Sequence, residues 1–263
     1  MRWLFCILAV ALCISCQSNK KKTAQETQQQ YDYRAALQNY QIGINYLNNG
    51  DVHNAILHLQ TAVNGDGNNF RYRHGLGLAY SMNGQMEEAI SELKAAIGIN
   101  PTASESHNLL GSVYTELGRY DEAVASLKKV ITDSSYPQPQ FPYFNLGLCM
   151  KAQNRLDEAI AAFTRATQLD PKFYRGYIAL ADIYKEQGDF NKALLYFQQA
   201  EPGFSNDVNV LFQIGYSFFK LNQYEKAKAY LAQVSILFPP PEIDKPTQEM
   251  LRYIEKVQRE ARN

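Results

Sequence analysis

Four histidines, two glycine-rich stretches and four cysteines are the residues of this 263-residue chain whose types suit chemistry. His53, His58, His74 and His107 have the rings for metal ligation or proton transfer, but their spacing matches no metal motif. His53 and His58 stand five apart, on different faces of a helix. "GLGLAY" at 75–80 has the glycines of a phosphate-binding turn, yet it lies inside a helical pattern with no strand before it. "NGDGNN" at 64–69 offers oxygen ligands without the carboxylates and closing glutamate of a calcium loop, so it reads as a turn. No serine sits between paired glycines as in a nucleophile elbow. Enzyme is the class these residues support least, and no cofactor, metal or small-molecule substrate is expected.

The cysteines point elsewhere. Met1-Arg2 is followed by an apolar run from Trp3 to Ile14, too short to span a bilayer, and Ser15 precedes Cys16. The pattern resembles a bacterial lipoprotein signal, in which the cysteine becomes the lipidated N-terminus; Cys13 stands where leucine is usual. Residues 1–15 are therefore expected to be a cleaved signal and Cys16 the lipid attachment point. Cys6 and Cys13 leave with the signal, so Cys149 alone remains and no internal disulfide framework is available. An exported chain with one internal thiol is expected to bury it as a small hydrophobe. Residues 16–35, polar and poor in apolar side chains, read as a flexible tether leading to the first repeat. Gln17 replaces the aspartate that commonly retains enterobacterial lipoproteins at the inner membrane. The resemblance thus implies the periplasmic face of the outer membrane. Basic and acidic residues balance at 26 each, which gives nucleic acid no electrostatic footprint.

The elements that must position any site follow from a repeat. Gly43, Gly77, Gly111, Gly147, Ala181 and Gly215 recur at intervals of 34, 34, 36, 34 and 34 residues. Three residues after each come Tyr46, Tyr80, Tyr114, Met150, Tyr184 and Phe218; twelve after each comes alanine, from Ala55 to Ala227. Four further on stand Leu59, Leu93, Leu127, Phe163, Phe197 and Leu231. These offsets resemble the tetratricopeptide repeat. The expected fold is all-α: a right-handed superhelical solenoid of six repeats over residues 36–241, with a capping helix over 242–263 carrying Leu251, Ile254 and Val257. The small residue is expected to let the second helix approach, with the alanine meeting it. Gly50, Gly84, Gly118 and Gly188, with Asn154 and Asn222 in the other two units, suit left-handed helix caps.

The longer interval falls in "DSSYPQPQFPYFNLGLC", 133–149, where Pro137, Pro139 and Pro142 predict an extended connection. The tyrosine-proline turn at Tyr136-Pro137, the helix from Asn145 to Cys149, the anchor and the six repeats together resemble the pilotin-type lipoproteins of type IV pili. "HNLLGSVYTELGRYDEA", beginning at His107, also fits. That resemblance implies an outer-membrane protein that binds secretin subunits and promotes their targeting and multimerisation. The alternative is a periplasmic repeat scaffold for cell-wall enzymes or outer-membrane assembly factors.

The inner groove of such a solenoid is lined by the first helix of each repeat. In the first repeats that face carries Leu37, Tyr40, Ile44, Leu47, His74 and Leu78, mostly apolar and so suited to a protein partner. The competing reading has Tyr31 and Tyr33 covering it. A second cluster, Phe141, Phe144, Leu148, Phe212, Tyr216 and Phe219, is interrupted by Arg175, Asp182 and Lys185 and suits core as well as groove.

Overall fold

The computed structural model describes residues 32–260. Among them are thirteen α-helices, one 3-10 turn and no strand. Contacts divide the chain into two units at Leu117/Gly118. The first holds α1 (residues 32–48), α2 (Val52–Gly65), α3 (Phe70–Met82), α4 (Met86–Ile99) and α5 (Ser104–Glu116). The second holds α6 (Tyr120–Ile131), α7 (Gln140–Ala152), α8 (Leu156–Leu169), α9 (Tyr174–Glu186), α10 (Phe190–Ala200), α11 (Val208–Lys220), α12 (Tyr224–Ile236) and α13 (Pro241–Glu260). The 3-10 turn Glu201–Gly203 follows α10. Residues 32–35, expected in the tether, are helical, while the signal segment and Cys16 lie outside the described residues. No helix among the described residues is long and apolar enough to cross a membrane.

The reversal inside a repeat has one recurring design. Gly50, Gly84, Gly118 and Gly188 sit at φ of 72–77°, and Asn154 and Asn222 at 58° and 56°. Glycine reaches this left-handed region freely, and asparagine is among the few other residues that tolerate it. In the first repeat Gly50 N–H donates to Leu47 O (3.0 Å) and Asp51 N–H to Tyr46 O (2.9 Å). The same two bonds recur at Gly84/Gln85, Asn154/Arg155, Gly188/Asp189 and Asn222/Gln223. This paired bonding satisfies carbonyls that the helix end would leave open. Asp51 and Asp189 then cap the following helices through Asn54 N–H and Lys192 N–H, both at 3.1 Å.

Helix pairs close where the first helix lacks a side chain. A Cβ on Gly43 would stand 2.6 Å from Leu59, on Gly77 2.8 Å from Leu93, and on Gly147 2.5 Å from Phe163. The residue over each glycine is therefore the leucine or phenylalanine of the second helix, not the alanine four residues earlier. The alanines have another place: Ala55, Ala89, Ala123, Ala159, Ala193 and Ala227 are all fully buried. Burying each leucine or phenylalanine contributes roughly 1.5–3 kcal/mol.

Two other expectations change. The 133–139 joint is compact: Asp133 Oδ1 accepts from Ser135 N–H and Oγ–H, Tyr136 N–H donates to Asp133 O, and Tyr136 is buried. Pro142 belongs to the first turn of α7, where a missing N–H costs no helix bond. The C-terminal helix packs on α12 and α11. It buries Ile243, Thr247, Met250 and Ile254, whereas Leu251 and Val257 are half-buried.

Gly147→Ala is expected to destabilise the protein by about 1–3 kcal/mol in urea unfolding, since Phe163 leaves no room for the methyl group. Gly98→Ala, with open space around it in α4, is expected to stabilise by about 0.4–1 kcal/mol.

Candidate functional site

In the first unit the faces of α1 and α3 meet over a glycine. Around a Cβ on Gly75, Tyr40 Cε2 would lie at 3.2 Å and Ile44 Cδ1 at 3.5 Å, so both side chains rest on the α3 backbone. The Tyr40 ring packs tilted against Tyr72, with centroids 4.9 Å apart. Burial pushes the Tyr40 phenol above its usual value, and Arg71 partly opposes this. Tyr40, Ile44 and Leu78 are half-buried against the core, and Leu37 is 37% exposed. Leu47, expected in the groove, is a core residue at 7% exposure. Its position is packed because α1 turns there into the reversal, where its carbonyl accepts from Gly50. Tyr33 is 52% exposed; Tyr31 lies outside the described residues.

His58, His74 and His107 act as hydrogen-bonding and stacking side chains, and His53 is exposed. His74 Nδ1 lies 3.1 Å from Ser106 Oγ, joining α3 to α5. His58 Nδ1 lies 2.9 Å from Asn39 Oδ1, and its ring stacks on Tyr46. His107 Nε2 is 3.0 Å from Pro101 O. The 64–69 stretch ends α2 and then turns: Asp66 Oδ1 accepts from Asn68 N–H, and Asn69 caps α3. Arg73 closes this turn by donating to Gly67 O and pairing with Glu92 at 2.9 Å.

In the second unit, the face of α7 carrying Phe141, Phe144 and Leu148 meets α9. A cavity of about 370 Å³ lies there, lined by Phe144, Leu148, Arg175, Ile178, Asp182 and Phe204 among others. A second, of about 290 Å³, is lined by Lys185, Phe190, Phe212, Gln213 and Tyr216. Asp182 lines the first and Lys185 the second; their 3.0 Å ion pair forms a polar ridge, and Lys185 also reaches Gln213 at 3.3 Å. Lys151 pairs with Glu186 at 2.9 Å. Arg175 lies 5.6 Å over the Phe144 ring and Lys220 5.4 Å over Tyr216, so cations edge the aromatic walls.

The second cluster thus belongs partly to both classes. Phe144 is buried yet lines a cavity, and Leu148 is 39% exposed. Phe219 packs edge-on against Tyr224 and Tyr253, among aromatics near the C-terminal helix. Sequence reasoning missed Phe190 and Phe204. Phe204 follows the short 3-10 turn, and the "EPG" before it was the available signal. At the joint, Pro137 is exposed, Asn145 is half-buried and Cys149 is fully buried. The free Cys149 thiol faces Tyr120 O at 3.9 Å.

Residues 48–130 match the family model described as anaphase-promoting complex, cyclosome, subunit 3, and residues 150–209 and 209–240 match tetratricopeptide-repeat models. A UDP-N-acetylglucosamine–peptide N-acetylglucosaminyltransferase of Giardia intestinalis is 34% identical over 64 residues, covering 24% of this chain and 4% of that protein. That stretch has the length of about two repeats. Among solved structures, PilF of Pseudomonas aeruginosa superposes with a TM-score of 0.70 at 20% identity, covering 83% of this chain and 98% of that one. PilW, a widely conserved type IV pilus biogenesis factor, gives 0.72 at 22%, covering 80% and 97%. A tetratricopeptide repeat protein from Parabacteroides merdae gives 0.59 at 17%, covering 86% and 88%. At these identities the likeness is one of fold.

Burial holds the His74 imidazole below its usual value of 6.5, with Glu105 partly opposing. The unfolded chain therefore takes up the proton first as pH falls. The stability that His74 contributes is full above pH 6.5 and is lost as pH falls from there through the lower folded value. The slope of unfolding free energy against pH across that window is expected to flatten in His74→Gln, measured by urea titration.

Proposed function

Taking the chain as a stack of tetratricopeptide repeats with the fold of PilF and PilW, we propose that it is a lipid-anchored, outer-membrane protein that binds secretin subunits and promotes their multimerisation in type IV pilus assembly. The observation that carries this reading is the match to PilW, a pilus biogenesis factor, over 97% of that chain. The apolar faces of α1 and α3, and of α7 and α9, supply surface of the kind a protein partner covers.

The mechanism is physical rather than chemical. Unassembled subunits of a ring expose apolar surface. A partner that covers it with Leu37 and Tyr40, or with Phe144 and Leu148, delays aggregation until a neighbour arrives. Attachment through lipidated Cys16 confines the complex to the membrane plane and raises the effective concentration of subunits. Several acyl chains make that attachment durable where one would be marginal. Lys20, Lys21 and Lys22 add about 1 kcal/mol each if the surface is anionic.

Deletion of the gene is expected to abolish detergent-resistant secretin multimers and leave monomer on gels, with rescue by the intact protein. Normal multimers in the deletion strain would overturn this reading in favour of a scaffold for other periplasmic assemblies. Cys16→Ala is expected to leave the protein folded but move it to the soluble fraction. Leu37→Glu with Leu148→Glu, both at exposed positions, is expected to weaken subunit capture about tenfold or more. Its unfolding midpoint should shift little, within the ~0.5 kcal/mol typical of surface substitutions.

A further inference from the structure

A position pair recurs across each helix reversal: the residue three after the small residue of the first helix, and the one twelve further on. In the first and fifth repeats it is an aromatic stack and in the sixth a tilted aromatic pair, while the second and third hold one ring each, Tyr80 with Glu92 and Tyr114 with Ser126. Tyr46 faces His58 with centroids 5.4 Å apart, Tyr184 faces Tyr196 at 5.6 Å, and Phe218 faces Tyr230 at 5.7 Å. In the fourth repeat the pair is Met150 and Ala162, and neither carries a ring. A cavity of about 370 Å³ lies there, walled by both residues together with Leu146, Tyr143 and Val124. It opens between α6 and α8 with α7 as its floor. Tyr143, Leu146 and Met150 occupy the face of α7 away from Phe144 and Leu148, so this site is separate from the cavity between α7 and α9.

The charges at its rim are one-sided. Arg155 is neutralised by Glu158 through two bonds of 2.7 Å. Lys128 has no ion-pair partner among the described residues, and Arg165 is engaged only over the Tyr143 ring, at 6.0 Å. Both are exposed, and no unpaired carboxylate lines the cavity. Its volume, about 370 Å³, is near the low end of the ~300–1,000 Å³ of small-ligand sites and has room for a whole aromatic residue.

We infer that the fourth repeat is a socket for the carboxyl-terminal aromatic residue of a protein partner. The ring takes the place that an aromatic pair fills in the first, fifth and sixth repeats, and the terminal carboxylate faces Lys128 and Arg165. A terminal phenylalanine or tyrosine carries both groups on one Cα, which suits a cavity of this size. The site stands independently of the pilus reading.

The test is methionine-methyl NMR of the full-length protein, titrated with a five-residue glycine–serine peptide ending in phenylalanine with a free carboxylate. The Met150 methyl signal is expected to shift saturably by ring current, while Met82 and Met86 stay in place. Amidating the peptide should weaken binding about two- to fivefold, the scale of an exposed charge pair, and ending it in alanine should abolish the shift. Ala162→Tyr should fill the socket and remove binding. Lys128→Glu with Arg165→Glu, on exposed positions, should weaken it without unfolding. No Met150 shift at millimolar peptide, an equal shift with the alanine-ended peptide, or undiminished binding by folded Ala162→Tyr would each overturn the proposal.

Discussion

The structure depends on a steric exclusion: at one position of the first helix in a repeat there is no room for a large side chain. Leu59, Leu93 and Phe163 each lie where a Cβ on the facing glycine would collide with them. Close approach lets the second helix bury its leucine or phenylalanine fully, and that burial fixes how the two helices cross. Four glycines and two asparagines in left-handed conformation complete the arrangement by reversing the chain in the same way each time.

The fourth repeat uses its aromatic residues differently from its neighbours. Where the first, fifth and sixth units pair rings beside the reversal, this one gathers Phe144 on the opposite side of α7, tilted against Phe163 and edge-on to Phe173. One helix therefore separates two spaces of the same volume, about 370 Å³ each. The space toward α9 is edged by ion pairs and an arginine over a ring; the other has one ion pair, Arg155 with Glu158, and two cations, Lys128 and Arg165, without a matching acid.

The repeat was legible because its signal is redundant. A glycine, an alanine twelve on and a leucine four beyond that recur so often that no single substitution hides the pattern. Pairwise contacts were less legible. Offset along a chain does not say which of two buried neighbours lies over a gap, so the alanine was placed where Leu59 and its equivalents stand. Leu47 looked like a groove residue by register, yet the tight reversal buries it. The three prolines at 137, 139 and 142 suggested extended chain, although proline is equally at home in a first helical turn, where Pro142 sits. Of the proposed groove, Tyr40 and Ile44 do come together, over the backbone of Gly75, since neighbouring first helices follow from the period alone. The socket at Met150 and Ala162 was also written in the sequence, as two missing rings. It becomes visible only when the first, fifth and sixth repeats show the ring pairs that those positions can hold.

The hydrogen-bonded reversal limits how such a chain can change in length. Its two bonds run to carbonyls at fixed separations, so one residue more or fewer within the turn would break both and rotate the next helix by about 100°. The alanine accordingly stays twelve residues after the small residue in all six units. Between repeats a second turn recurs, in which Asp66, Asn100, Asp133 and Asp170 each accept from the N–H two residues on through Oδ1 and from the N–H three residues on through the carbonyl. At the longer joint the extra residues follow this turn, after Tyr136. Insertions and grafted segments are thus admitted at the joints between units and refused at the bends inside them, which makes 133–139 a natural port for added sequence.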